Sequence, residues 1–137
     1  MQRLLFISND MRLARRLKIA ATRSNVALCH REALSDLLSV GKLAEFDGVI
    51  ADSSSYPVSG IEIAEYAAAL FPDLAVVLVG NMVEEFGKQR LPPSIKAYHT
   101  YSDSPQAMIE SAVSFEEYRS NHGGHFGDKY FRSANFA

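Results

Sequence analysis

The stretch that decides the fold is residues 47–60, with the sequence DGVIADSSSYPVSG. Its apolar part, residues 49–51, has β-strand character and ends at a carboxylate, Asp52. A loop with three consecutive serines follows, and Ser59 then provides an N-cap for a new helical pattern. An acidic side chain at the carboxyl end of a buried strand lies where open α/β sheets bind their ligands. Asp52 is therefore the first candidate for a functional residue.

Four more apolar runs have strand length, and they lie at residues 4–7, 26–29, 75–79 and 95–100. Segments with helical periodicity alternate with the strands, at residues 11–22, 34–40, 61–70, 82–89 and 105–115. Gly41 disfavours a long second helix, whereas Ser104 and Pro105 are suited to begin the last one. This alternation predicts a doubly wound α/β fold, with a parallel sheet and helices on both faces.

The composition suits one domain in a reducing compartment. The 137 residues carry a net charge of -2, which gives no general attraction to nucleic acid or to an anionic membrane. The single cysteine, Cys29, lies in an apolar run and is expected to be a small buried thiol. The first ten residues contain only about four consecutive apolar residues, which is too few for a signal peptide or a membrane span. We therefore expect a cytoplasmic protein without nucleic-acid or membrane partners.

With the strands placed in this way, residues 3–118 resemble the receiver domain of bacterial two-component response regulators. The resemblance depends on the strand and helix spacing, on Asp52, on Gly60 and on the aromatic Tyr98 in the fifth strand. It implies a flavodoxin-like five-stranded sheet of order 2-1-3-4-5. It also implies that Asp52 is the position that a sensor histidine kinase phosphorylates, with Mg²⁺ offsetting the charge of the phosphate.

The acidic Mg²⁺ site that this resemblance implies is depleted. The two acids after the family's first strand fall on Ser8 and Asn9, and Asp10 lies one residue further on. An asparagine in place of an aspartate removes a full negative charge from such a site. Asn9, Asp10 and Asp52 are the candidate Mg²⁺ ligands; the alternative role of Asn9 and Asp10 is to cap the first helix. We expect no other cofactor.

Two further positions depart from the family. The hydroxyl position after the fourth strand falls on Gly80, and the Lys-Pro pair after the fifth falls on Tyr101 and Ser102. Lys129 in the tail is the alternative source of a lysine. Gly80, Tyr98 and Tyr101 are candidate switch or interaction residues, since this side of receivers usually docks partners. For Tyr98, packing in the core is the alternative.

Outside these positions, the first predicted helix is strongly basic and carries no acidic residue, with Arg12, Arg15, Arg16, Lys18 and Arg23. This basic face either docks an acidic partner or is simply solvated. The tail, residues 119–137, has no clear period but contains several aromatic residues. It is either disordered or docked on this domain, on a second copy in a homodimer, or on a partner.

Three hypotheses follow. The first is an atypical, stand-alone pseudo-receiver that signals by binding a protein partner, with phosphorylation at Asp52 impaired or absent. The second is a phosphoacceptor switch that a histidine kinase phosphorylates on Asp52. The third is a small flavodoxin-like ligand-binding protein or enzyme, but the sequence motifs of nucleotide and serine-hydrolase sites are absent, so we do not expect an enzyme. If Asp52 has no phosphoacceptor role, it is a strand-end carboxylate bonded to the backbone N–H groups of the following serines.

Overall fold

The structure of the protein, a computed structural model, describes residues 1–36, 40–81 and 92–113. The strands in these ranges are β1 (Arg3–Ile7), β2 (Ala27–Arg31), β3 (Gly48–Asp52), β4 (Ala75–Gly80) and β5 (Ile95–Thr100). The α-helices in the same ranges are α1 (Met11–Arg23), α2 (Gly60–Leu70) and α3 (Pro105–Ala112). The predicted helix at 82–89 and the tail at 119–137 lie outside the described residues.

The strands form one parallel sheet of order β2-β1-β3-β4-β5, which confirms the predicted flavodoxin-like arrangement. β3 lies at its centre between β1 and β4, and all five of its residues are buried. Its apolar side chains point alternately to both faces of the sheet, and both faces are covered, so a continuous apolar run is stable there. The carboxyl ends of all the strands lie at the same edge, so the polar residues that follow them meet there.

Helices cover both faces of the sheet, as predicted. α1 and α3 pack on one face around Phe6, Leu17 and Ile50. α2 packs on the other face, where Ile63 and Leu78 belong to the second core cluster. No helix in the described part of the chain is long and apolar enough to cross a membrane.

The connection between β2 and β3 differs from the prediction. In place of an α-helix that begins near Leu34 and is interrupted near its middle by Gly41, the described residues form two 3₁₀ segments, Leu34–Asp36 and Val40–Glu45, and residues 37–39 lie outside the described ranges. Gly41 lies in the second segment and disfavours an α-helix by about 1 kcal/mol relative to alanine. Leu34 and Leu43 nevertheless contribute buried side chains to the core below α2. Cys29, predicted to be buried, is half-buried beside the same cluster.

The helices begin at side-chain caps placed at or near the edge of the sheet. Asp10 Oδ1 accepts a hydrogen bond from Leu13 N at 3.0 Å, which caps α1. Ser59 caps α2 in the same way, and Ser104 caps α3 with proline at the first helical position, both as the sequence predicted. Each cap satisfies a backbone N–H that has no partner within its own helix.

Candidate functional site

The candidate site lies at the carboxyl edge of the sheet and is centred on Asp52. Asp52 is the last residue of β3, is 4% exposed, and pairs in register with Val79 of β4. β3 is the central strand, so the chain leaving β1 passes on one side of Asp52 and the ends of β4 and β5 lie on the other. This is the position that the sequence predicted for the functional carboxylate.

Both oxygens of the Asp52 carboxylate accept hydrogen bonds from uncharged groups. Ser8 Oγ donates to Oδ2 at 2.6 Å. Oδ1 accepts from Ser54 N at 3.0 Å, from Ser54 Oγ at 2.8 Å, and from the Tyr101 hydroxyl. Neither ion pair found among the described residues includes Asp52. Within residues 1–36, 40–81 and 92–113, the groups that stabilise the carboxylate are therefore dipoles.

Ser8 is held in place from two sides. Its hydroxyl oxygen accepts a hydrogen bond from Asp10 N at 2.9 Å while it donates to Asp52. Its carbonyl oxygen accepts from His30 Nε2 of β2, at 2.8 Å. Ser8 is completely buried, so these bonds satisfy polar groups that cannot reach water. A serine thus lies against Asp52 where the family resemblance implies an acid.

Tyr101 lies where the resemblance implies a lysine, and its hydroxyl reaches the carboxylate. The hydroxyl also lies 3.2 Å from Ser54 Oγ. Burial, followed by the hydrogen bond to Asp52, raises the pKa of Tyr101 above its usual value. Both effects disfavour a tyrosinate beside a carboxylate. The side chain therefore acts at Asp52 as a neutral hydrogen-bond donor.

The raised pKa of Tyr101 predicts a late titration. A group whose pKa is raised by folding stabilises the folded state below its unfolded pKa, about 10 for tyrosine. That contribution is lost as the pH rises through the folded pKa. The difference between the ultraviolet titrations of the natural chain and of Tyr101→Phe should show one tyrosine that ionises above the pH of a free tyrosine amide. The prediction would be contradicted if the midpoint of the difference curve lay at or below the midpoint pH of a free tyrosine amide while both chains were still folded by circular dichroism.

The candidate Mg²⁺ ligands do not fit a metal site in the described geometry. The carboxylate of Asp10 caps α1, Asn9 is exposed, and both oxygens of Asp52 accept from hydroxyl groups. Among residues 1–36, 40–81 and 92–113, no three His, Cys, Asp or Glu side chains are grouped in a way that would hold a metal ion. Mg²⁺ prefers several oxygen ligands including carboxylates, and here the carboxylates of Asp10 and Asp52 already accept hydrogen bonds from protein donors.

The structure separates the candidate switch residues. Gly80 is the buried last residue of β4 and pairs with Thr100. Tyr98 is buried in the core cluster on the α2 face, and so it takes the packing role that the sequence left open. Only Tyr101 of the three contacts Asp52 through its side chain. Ser102 bonds to Thr100, with their hydroxyl oxygens 2.9 Å apart.

One polar array was missed by sequence reasoning. His99 of β5 is buried, with Nδ1 2.8 Å from Asp103 Oδ2 and Nε2 2.7 Å from Ser111 Oγ. Ser111 Oγ is also 2.9 Å from the Ala107 carbonyl oxygen, to which it donates. The array resembles a serine-hydrolase triad, but Ser111 is 8% exposed and its proton is engaged within α3. It therefore joins α3 to β5. A histidine inside a strand, four residues before an aspartate, was the available signal.

Gly60 brings α2 close to Asp52. A Cβ atom on Gly60 would lie 2.7 Å from Leu78 Cδ1 and 2.8 Å from the backbone oxygen of Asp52. Real Cβ atoms essentially never approach other atoms this closely. The absence of a side chain at Gly60 therefore lets the helix begin directly beside the end of β3.

Solved structures with a similar fold include receiver domains of response regulators. The BeF3-activated receiver domain of DrrB from Thermotoga maritima has a TM-score of 0.70 and 15% identity, over 88% of this chain and 98% of that chain. A CheY-like receiver domain protein of Methanospirillum hungatei has a TM-score of 0.67 and 16% identity, over 94% and 98%. The chemotaxis response regulator CheY4 of Vibrio cholerae has a TM-score of 0.65 and 13% identity, over 81% of this chain and 95% of that chain. No protein-family model and no curated protein sequence matches the chain. At these identities the similarity establishes the fold: the chain has the fold of response regulator receiver domains.

Proposed function

We propose that this protein is an atypical receiver-like module that signals by binding a protein partner, without a phosphorylation switch at Asp52. The observation that supports this proposal is the set of uncharged donors around the carboxylate, from Ser8, Ser54 and Tyr101. In this proposal Asp52 is a structural carboxylate that orders the edge of the sheet. The module is a binding protein and not an enzyme.

The chemistry of phosphorylation explains why these neighbours matter. A carboxylate oxygen of Asp52 would have to attack phosphorus, forming an acyl phosphate, while the donor's leaving group departs with the electrons of the broken bond, which is P–N in a phosphohistidine and P–O in acetyl phosphate. The attacking oxygen and the incoming phosphoryl group both carry negative charge, so a cation must offset their repulsion. Tyr101 supplies a neutral hydroxyl where the resemblance implies a lysine. Oδ1 already accepts three hydrogen bonds and Oδ2 accepts one.

The size of the effect supports impaired phosphorylation. A charge-assisted hydrogen bond is worth about 1.5–3 kcal/mol. The loss of two acidic metal ligands and of one lysine contact would together cost about 4.5–9 kcal/mol, which corresponds to a rate lower by about 10³-fold to 10⁶-fold.

The natural chain should therefore stay unmodified when it is incubated with acetyl phosphate and Mg²⁺ under conditions that phosphorylate a standard receiver domain. Intact-mass spectrometry of the acid-quenched samples is the measurement, with Asp52→Asn as the matched control. A mass increase of one phosphoryl group that disappears in Asp52→Asn would contradict the proposal.

That outcome would instead support the second candidate, a phosphoacceptor switch modified by a sensor histidine kinase. The observation in its favour is the position of Asp52 at the end of the central strand of a receiver fold. A lysine from elsewhere would then have to approach the site, and Lys129, the one that the sequence suggested, lies outside the described residues.

The proposal implies a signalling protein as partner, and neither nucleic acid nor a membrane. The single cysteine, which cannot form a disulfide within the chain, is compatible with a location in the reducing cytoplasm.

A further inference from the structure

The solvent faces of α1 and α2 expose large apolar side chains. Six such side chains are exposed in the described ranges, and four of them lie on these two helices. Met11 and Ile19 on α1 are 50% and 56% exposed, and Tyr66 and Leu70 on α2 are 44% and 55% exposed. Single exposed apolar residues are ordinary, but two on each of two helix faces indicate surfaces suited to docking.

The same face of α1 is strongly basic. Its exposed cations are Arg12, Arg15, Arg16, Lys18 and Arg23, and the helix contains no acidic residue. None of the five takes part in the ion pairs found among the described residues. Arg15 and Lys18 lie between Met11 and Ile19 on one stripe of the helix, at spacings of four, seven and eight residues from Met11. Cations are thus flanked by apolar side chains.

The solvent face of α2 has the complementary character. Glu62, Glu65, Tyr66 and Ala69 line a depression of about 380 Å³. These residues are spaced as i, i+3, i+4 and i+7, which places them on one face of the helix. The helix contains no basic residue. Leu70 extends the apolar part of this face toward the end of the helix.

We propose that the basic face of α1 in one copy of this chain docks on the acidic face of α2 in a second copy. In an antiparallel arrangement of the two helices, Arg15 and Lys18 would pair with Glu65 and Glu62, which places Met11 against Tyr66 and Leu70. A second copy is the occupant that the charges favour, because both halves of the interface are present on one molecule with opposite sign. The inference uses the solvent faces of the two helices and does not depend on the phosphorylation state of Asp52.

The geometry makes this association open-ended. α1 and α2 lie on opposite faces of the sheet, so each copy that docks through α1 still presents its α2. Such a heterologous contact forms linear assemblies unless the rotation between copies closes a ring. A single helix-on-helix contact is small, so the association is weak and depends on concentration. Salt weakens it, because the paired charges are exposed and screened.

The test is analytical ultracentrifugation of the full chain from low micromolar to near millimolar concentration, at low and high salt. The expected result is a weight-average mass that rises with concentration beyond that of a dimer and falls as salt is added. A chain that stays monomeric throughout the low-salt series would overturn the proposal.

Charge reversal distinguishes this interface from any other. The pair Arg15→Glu and Lys18→Glu should abolish association, and so should the pair Glu62→Lys and Glu65→Lys. The chain that carries all four substitutions should associate again, because the reversed faces are complementary.

A matched control reverses two exposed charges outside both helices, Glu32→Lys and Asp73→Lys, and should associate as the natural chain does. Association that survives either pair of reversals would overturn the proposal. So would a fourfold variant that is folded by circular dichroism but stays monomeric.

Discussion

A chain that carries Ser8→Asp, Asn9→Asp and Tyr101→Lys should accept a phosphoryl group on Asp52 from acetyl phosphate and Mg²⁺, where the natural chain does not. The two new carboxylates would supply Mg²⁺ ligands beside Asp52, and the lysine would place a cation near the phosphoryl oxygens. The substitutions also remove the hydroxyl groups of Ser8 and Tyr101 that now bond to the carboxylate. Three new charge-assisted contacts of about 1.5–3 kcal/mol each, together about 4.5–9 kcal/mol, predict a gain of about 10³-fold to 10⁶-fold in rate.

Two controls separate the effect of the added charges from the effect of removing the hydroxyl group that contacts Asp52. Tyr101→Phe removes the hydroxyl without adding a cation and should remain unmodified. The triple variant combined with Asp52→Asn should also remain unmodified, which assigns the added mass to Asp52. A triple variant that folds normally but stays inert would contradict the argument from charge, and modification of Tyr101→Phe alone would show that the hydroxyl is the main barrier.

Gly60→Ala should lower the free energy of unfolding by about 1–3 kcal/mol, the usual cost of overpacking. The added Cβ would lie 2.8 Å from the backbone oxygen of Asp52, and that oxygen accepts a hydrogen bond from Ser55 N at 3.0 Å. Relief by moving α2 would separate it from Leu78 in the core. Alanine is a better helix former than glycine by about 1 kcal/mol, which offsets part of the cost.

Urea denaturation of Gly60→Ala and the natural chain measures this effect. Ala69→Gly, at an exposed position of the same helix, calibrates helix propensity alone and should cost about 1 kcal/mol. A Gly60→Ala chain as stable as the natural one would contradict the steric argument.

Much of the fold could be predicted from the sequence because its signals are local. Apolar runs such as residues 75–79 indicate buried strands, and Ser59 and Ser104 mark helix starts through bonds within four residues. The order of the strands is not local, and it came from the resemblance to receivers. The segment after β2 was mispredicted because the spacing of its leucines fits a helical period, whereas the described residues 34–36 and 40–45 form 3₁₀ turns, the second of which contains Gly41.

The site was predictable in position but not in contacts. Asp52 follows from its place at the end of a strand, whereas the bond from Tyr101 spans 49 residues of sequence. Tyr101 follows β5, which is separated from β3 by β4, so its side chain must reach across the end of β4. That strand ends at Gly80, which has no side chain to obstruct the approach. A tyrosine in the lysine position, next to a strand that ends in glycine, is the signal that would have indicated this contact.

The shared carboxylate has a consequence for how the edge of the sheet opens. Through Asp52, the segment after β1, the loop after β3 and the segment after β5 are joined at one side chain. Each segment that leaves its place removes a donor from, or displaces, one buried carboxylate, which costs free energy at the contacts of the others. We therefore expect local unfolding there to be cooperative, with the three segments opening together.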